Sequence, residues 1–137
     1  MADIALVADR VNVIFPQNSE IIDVKLAEAV TRGQVVYQLT AGTFGVAGAA
    51  AAGKQQARGI ALRGGAAGET ISIAKLGFVS GYTVGSLNAD VPIYLSNTLG
   101  ALADGAGTMT VICGRVVALP DGVKVVYFNF DWLRAWA

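Results

Sequence analysis

The chain of 137 residues carries ten basic and ten acidic side chains, one cysteine and no histidine. Balanced charge argues against a global field for nucleic acid or an anionic membrane, and neither is expected as a partner. The missing histidine removes the commonest general base, proton switch and transition-metal ligand, and the lone Cys113 excludes an intrachain disulfide and fits an intracellular folding environment.

At 54% apolar residues the composition is far from disordered. One domain spanning 1–137 is expected to bury roughly two-thirds of its unfolded surface, with apolar area left for contacts with other chains. Residues 1–15 read as an N-terminal arm. Ile4, Leu6 and Ala8 alternate with their neighbours, Val11, Val13 and Phe15 do so in the opposite phase, and a bulge or tight turn is expected at Asp9. The start, MADIALVADR, has no positive region ahead of an apolar core and does not read as a signal peptide.

Residues 16–19 form a turn by composition, and Ile22, Val24 and Leu26 mark a half-buried strand. A connector over 27–33 leads to a β-rich stretch at 34–40. Between 45 and 58 one short helix is expected, because Ala49, Ala52 and Lys54 are good helix formers, while Gly48 and Gly53 limit it to two turns. Strands follow at 58–63 and at 70–79, the second broken by Gly77. Pro92 marks a strand start or edge at 91–95, and a loop and hairpin are expected over 97–107. Strands at 109–119 and 123–130 flank a Pro-Asp-Gly turn. No stretch approaches the roughly 20 apolar residues that span a bilayer as a helix. Many short strands with Gly, Pro and Asp turns indicate an all-β fold, a small barrel or sandwich.

Residues 34–65 and 91–122 read as two copies of one unit. At an offset of 94 − 37 = 57, Tyr37 meets Tyr94, Gly48 meets Gly105, Arg58 meets Arg115, Leu62 meets Leu119 and Gly65 meets Gly122. Each copy is a short apolar strand, a Gly/Ala-rich excursion, a second strand and a Gly turn.

Constellations for chemistry are weak. Gly48, Gly53 and Lys54 spell the start of a phosphate-binding loop, but the Ser or Thr that would hold magnesium is Gln55. Of Asp90, Asp104, Asp121 and Asp131, candidates for a glycosidase pair, three lie where turn chemistry explains them. Cys113 has no histidine partner and reads as a buried, inert thiol. Tyr37 and Tyr94 read as core residues with their phenols at the edge, and Arg58 and Arg115 as a repeated ion pair between strands or subunits. No catalytic residue, cofactor or metal is expected, and no residue set meets the geometric roles of an enzyme site.

The termini differ. Phe128, Phe130, Trp132, Leu133 and Trp136 crowd the end of the chain, and residues 131–137 form an aromatic tail. The tail either folds back over the open end of the barrel or anchors in another subunit, where Trp is a typical hot spot. The arm is a candidate for strand addition to a neighbour. The candidate partner contacts are therefore Ile4, Leu6, Val11, Val13, Phe15, Phe130, Trp132, Leu133 and Trp136.

Several motifs recur in order: FP at Phe15 and Pro16, AEAVTRGQVVYQL over 27–39, ARGIAL over 57–62, AAGETISI over 66–73, GALAD over 100–104 and VICGRVVAL over 111–119. Together they resemble the capsid cement, or head decoration, proteins of tailed phages, over nearly the whole chain from Val11 to Trp132. The aromatic end departs from that pattern. The resemblance implies a non-enzymatic virion protein, made in the host cytoplasm and placed on the outer surface of the head. There it would clamp neighbouring major capsid protein subunits against internal DNA pressure. It also implies self-association, with a homotrimer favoured and a homodimer possible. The alternative is a receptor- or carbohydrate-binding knob on the virion, using Tyr82, Tyr94 or a Trp as a stacking platform.

Overall fold

A computed structural model of the protein describes residues 2–50 and 52–136. Met1, Ala51 and Ala137, which fall in the expected arm, alanine tract and tail, lie outside the described residues. The chain is nearly all β, as its period-2 patterning predicts. In order come β1 (Asn12–Val13), β2 (Glu20–Lys25), β3 (Val35–Gln38), β4 (Phe44–Val46), β5 (Ala57–Ala61), β6 (Thr70–Ser80), β7 (Pro92–Leu95), β8 (Leu102–Ala103), β9 (Ile112–Ala118) and β10 (Lys124–Asn129). The only helical pieces among the described residues are 3-10 turns at Ala8–Arg10 and Pro16–Asn18.

All ten strands join one antiparallel sheet, β4-β3-β5-β6-β10-β9-β7-β8, with β1 and β2 also paired to β6, and the sheet curls into a half-barrel. The long β6 organises it. Along one edge it pairs with β2 (Ile22↔Ile73, Val24↔Ile71) and then β1 (Val13↔Val79), and along the other with β5 (Ile60↔Ala74) and then β10 (Val126↔Val79). Its alternation keeps Ile71, Ile73, Gly77 and Val79 buried. The break expected at Gly77 does not occur. With φ at 148°, Gly77 instead leaves room for Ser19, whose Cβ a side chain at Gly77 would meet at 3.0 Å and whose hydroxyl donates to Phe15 carbonyl at 2.8 Å.

Two three-stranded units hang on β6 and β10, and they pair alike. In the first, β3 lies between β4 and β5; in the second, β7 lies between β8 and β9. Both carry a bulge before the tyrosine: Val36↔Gly59 then Tyr37↔Ala57, and Ile93↔Gly114 then Tyr94↔Ile112. The bulged residues are therefore Arg58 and Cys113, 113 − 58 = 55 apart. Arg58 and Arg115, matched at 57 in sequence, are not equivalent in space.

Among the described residues between 45 and 58 no helix forms. Ala47 N–H donates to Val35 carbonyl, Gly100 N–H to Ala47, Ala49 N–H to Ser96 and Met109 N–H to Ala49, all at 2.7–3.0 Å. These bonds use the backbone that a helix would need, and they tie the two ends of the sheet together. Small buried Ala47, Gly48 and Ala49 allow that approach, so tertiary pairing overrides alanine's helix propensity.

The N-terminal arm does not project. Ile4 N–H donates to Leu102 carbonyl (2.8 Å) and Asp104 N–H to Ala2 carbonyl (3.1 Å) on one side. On the other side Thr83 N–H donates to Ala5 carbonyl (2.8 Å) and Val7 N–H to Gly81 carbonyl (2.9 Å). Both edges of residues 2–7 are thus already paired within the chain, so that stretch offers no free edge for strand addition to a neighbour. Asp3 carboxylate also accepts from the hydroxyl of Ser96, the one buried polar residue among those described. Arg32 Nε donates to Val11 carbonyl at 2.8 Å, and Val11 is fully buried.

Candidate interaction surface

The strands deliver few reactive groups to a common place. Among the described residues no cluster of three or more His, Cys, Asp or Glu could hold a metal. Cys113 and Tyr82 lie in the main core, and burial pushes both their proton affinities up, so neither ionises near neutral pH. Tyr82 hydroxyl donates to Gly33 carbonyl at 2.7 Å and its ring meets Phe128 edge-on, which rules it out as an exposed stacking platform. The phosphate-loop mimic is not built as one: Gly48 is buried, its N–H donates to Lys54 carbonyl (3.0 Å), and no helix follows. Among the described residues neither arginine meets a carboxylate. Arg115 Nη1 donates to Asp90 carbonyl at 2.7 Å, and Arg58 Nη1 to the carbonyls of Asp131 and Arg134, both at 3.0 Å. The expected repeated ion pair is thus absent from the chain's own described residues, where the one salt bridge is Lys75 to Glu20.

Arg58 is instead a clamp on the C-terminal tail, made possible because the bulge in β5 turns it out of the ladder. Trp132 Nε1 donates back to Arg58 carbonyl at 2.7 Å, and its ring sits 6.3 Å from that of Phe44. Further along, Gln56 grips both backbone groups of Trp136, at 2.8 Å and 2.7 Å, and Gln55 Nε2 donates to the same carbonyl at 3.2 Å. Arg134 guanidinium stacks over the Trp136 ring, 3.9 Å from its centroid. The tail, over its described residues 131–136, is folded back on its own domain.

This packing decides which candidate contacts can meet a partner. Ile4, Val11 and Phe130 are core residues, Phe130 stacking on Phe128 at 5.4 Å, and they are withdrawn as contacts. Leu6, Val13, Trp132 and Trp136 are half-buried against the core, and Phe15 packs edge-on against Phe78. Leu133 alone of the nine stands out, 97% exposed. Because Trp132 is a packing residue, Trp132→Ala is expected to cost about 3 kcal/mol of stability, read as a lower urea midpoint. A cost under about 1 kcal/mol would mean that the indole is not seated as described.

Exposed apolar residues that sequence reasoning passed over complete the picture: Val7, Ile21, Leu99 and Val123. Val7 and Ile21 occupy the outward phase of segments whose alternation marks the other face, Leu99 lies in a turn and Val123 just before β10. Val123 precedes β10, beside Lys124, whose Nζ donates to Leu87 carbonyl at 2.6 Å; Val7 binds Gly81 at the end of β6. Those two mark one end of the domain. β10 leads from there to the opposite end, where the tail, Leu133 and Leu99 lie. A groove of about 480 Å3 opens there between the tail and the start of β9, lined by Thr108, Met109, Thr110, Ile112, Arg134 and Trp136. Comparison with protein-family models, with curated proteins and with solved structures returned no match to this chain.

Proposed function

We propose that the protein is a structural component of a phage head. On this reading it is a decoration protein that sits on the outer surface and cements neighbouring major capsid protein subunits, working as a homo-oligomer, a trimer in preference to a dimer. The observation that carries this reading is the placement of exposed apolar side chains at both ends of a curled sheet whose interior is filled. Val7 and Val123 lie at one end, and Leu99 and Leu133 at the other. A β domain with a packed interior works through its outer surface, and two adhesive ends suit a protein that bridges other subunits. The ordered motifs from Phe15 to Leu119 point to a phage shell as the surface bridged.

The test is cosedimentation with empty heads assembled without this protein. Val7→Asp combined with Val123→Asp changes two side chains that are about half exposed, so the domain remains folded. The pair is expected to weaken head binding at least about tenfold, since charge placed in an apolar contact costs more than about 1.4 kcal/mol. Binding at wild-type strength would remove this end of the molecule from the shell contact.

A further inference from the structure

We propose that Leu133 is the knob, and the hollow lined by Gly48, Ala50, Lys54, Asn97 and Leu99 the socket, of a contact between copies of this chain. The proposal rests on the reading above only in treating the protein as self-associating. It names the residues that would do so.

The knob is held rigid. Asp131 carboxylate accepts from Leu133 N–H at 3.0 Å, Arg134 N–H donates to Asp131 carbonyl at 3.2 Å, and Arg58 holds the carbonyls at both ends of the turn. Trp132 roots the same turn in the domain through its indole N–H. A side chain 97% exposed on so fixed a turn loses little conformational entropy on docking. Nothing within the chain's described residues covers it.

The socket is an open hollow of about 260 Å3. Gly48, Ala50 and Leu99 make its apolar surface, and Leu99 packs so closely over Gly48 that a Cβ there would lie 2.8 Å from Leu99 Cδ2. Leu99 keeps 52% of its surface in water, so the hollow offers apolar area on the outside of the fold. Charge favours a second copy as occupant. The base of the knob carries exposed Asp131 and the rim of the socket exposed Lys54. Neither makes a salt bridge with another described residue of its chain, and one copy's Asp131 can meet the next copy's Lys54 as Leu133 enters. Gln55, next to Lys54, binds the Trp136 carbonyl, so knob and socket share one end of the domain. Because they are different residues, the contact is repeated either around a closed ring or twice across a twofold axis.

The experiment measures particle mass against concentration for the full chain. Wild type is expected to associate, and Leu133→Ser and Ala50→Gln each to raise the dissociation midpoint at least about tenfold. Both side chains are exposed, and unchanged thermal unfolding of each dilute variant shows that the fold is intact. In a one-to-one mixture the intact knob of one variant meets the intact socket of the other, so heterodimers held by one contact are expected to exceed the association of either variant alone without reaching that of wild type. A monomeric wild type, variants that associate like wild type, or a mixture that associates no more than its two components would each overturn the proposal. Head binding keeps the two readings apart. Association through Leu133 by a protein that ignores heads removes the decoration reading alone, and a monomer that binds heads removes this contact alone.

Discussion

Deleting residues 1–9 is expected to lower the free energy of unfolding by about 3–5 kcal/mol, the sum of burying two aliphatic side chains and making several backbone hydrogen bonds. Ile4 belongs to the main core and Leu6 packs against it. The segment also fills the gap between β8 and residues 81–83, with hydrogen bonds to both sides. Without it, Leu102 and the Asp104 N–H lose their partners, Ser96 hydroxyl loses Asp3, and one face of the cluster around Val11, Tyr82 and Val84 opens to water. Against a typical total of about 5–15 kcal/mol, a loss of this size leaves a marginal or unfolded domain. Urea unfolding followed by circular dichroism reads it directly. A truncated protein with the wild-type midpoint would show that the segment is a detachable arm after all. Ile4→Ala, which keeps the backbone bonds, should show a smaller loss of about 2 kcal/mol.

Gly114→Ala is expected to be as damaging, costing about 3 kcal/mol or more, the upper range for overpacking because the obstacle is backbone. Gly114 lies in the middle of β9, opposite Ile93 on one side and Phe128 on the other. A Cβ there would fall onto the Tyr127 carbonyl oxygen, far inside contact distance, with Phe128 Cα at 3.2 Å. Neither atom can move without breaking the β9–β10 ladder. Its spatial counterpart, Gly59, supplies the control. A Cβ at Gly59 meets first the flexible end of Ile73, at 2.7 Å, and then Ala74 carbonyl at 3.2 Å, so Gly59→Ala should cost about 1–3 kcal/mol. Thermal or urea unfolding of the two variants tests the order. A Gly59→Ala protein less stable than Gly114→Ala would contradict the packing described.

Much of the fold was legible because strand alternation is a local signal. β2, β3, β5, β7 and β10 each lie within two residues of their expected bounds, and β9 begins three residues later than expected. The repeat was legible too, yet its register was not. The sequence offset of 57 aligns the tyrosines that follow each bulge, whereas the pairing partners Gly59 and Gly114 are 55 apart. Loops of different length between the strands absorb the difference, and no side-chain pattern records it. The clamp role of Arg58 was hidden for the same reason, since it depends on a bulge and on a tail 73 residues away. At the surface, Leu133 was legible as an apolar residue in an aromatic tail, but its exposure was not. Trp132, Phe130 and Trp136 have similar hydrophobicity, and only their contacts separate anchor from tip.

By itself the sequence determined that this chain would be nearly all β and that two of its stretches would share a strand pattern. Alternation specifies that a strand has a face to be buried. Only the tertiary structure decided that the N-terminal segment closes the sheet instead of reaching outward, and that the tail folds back to leave Leu133 in solvent. The physical reason is that hydrophobic patterning says a segment must be covered, and says nothing of which backbone edge will cover it.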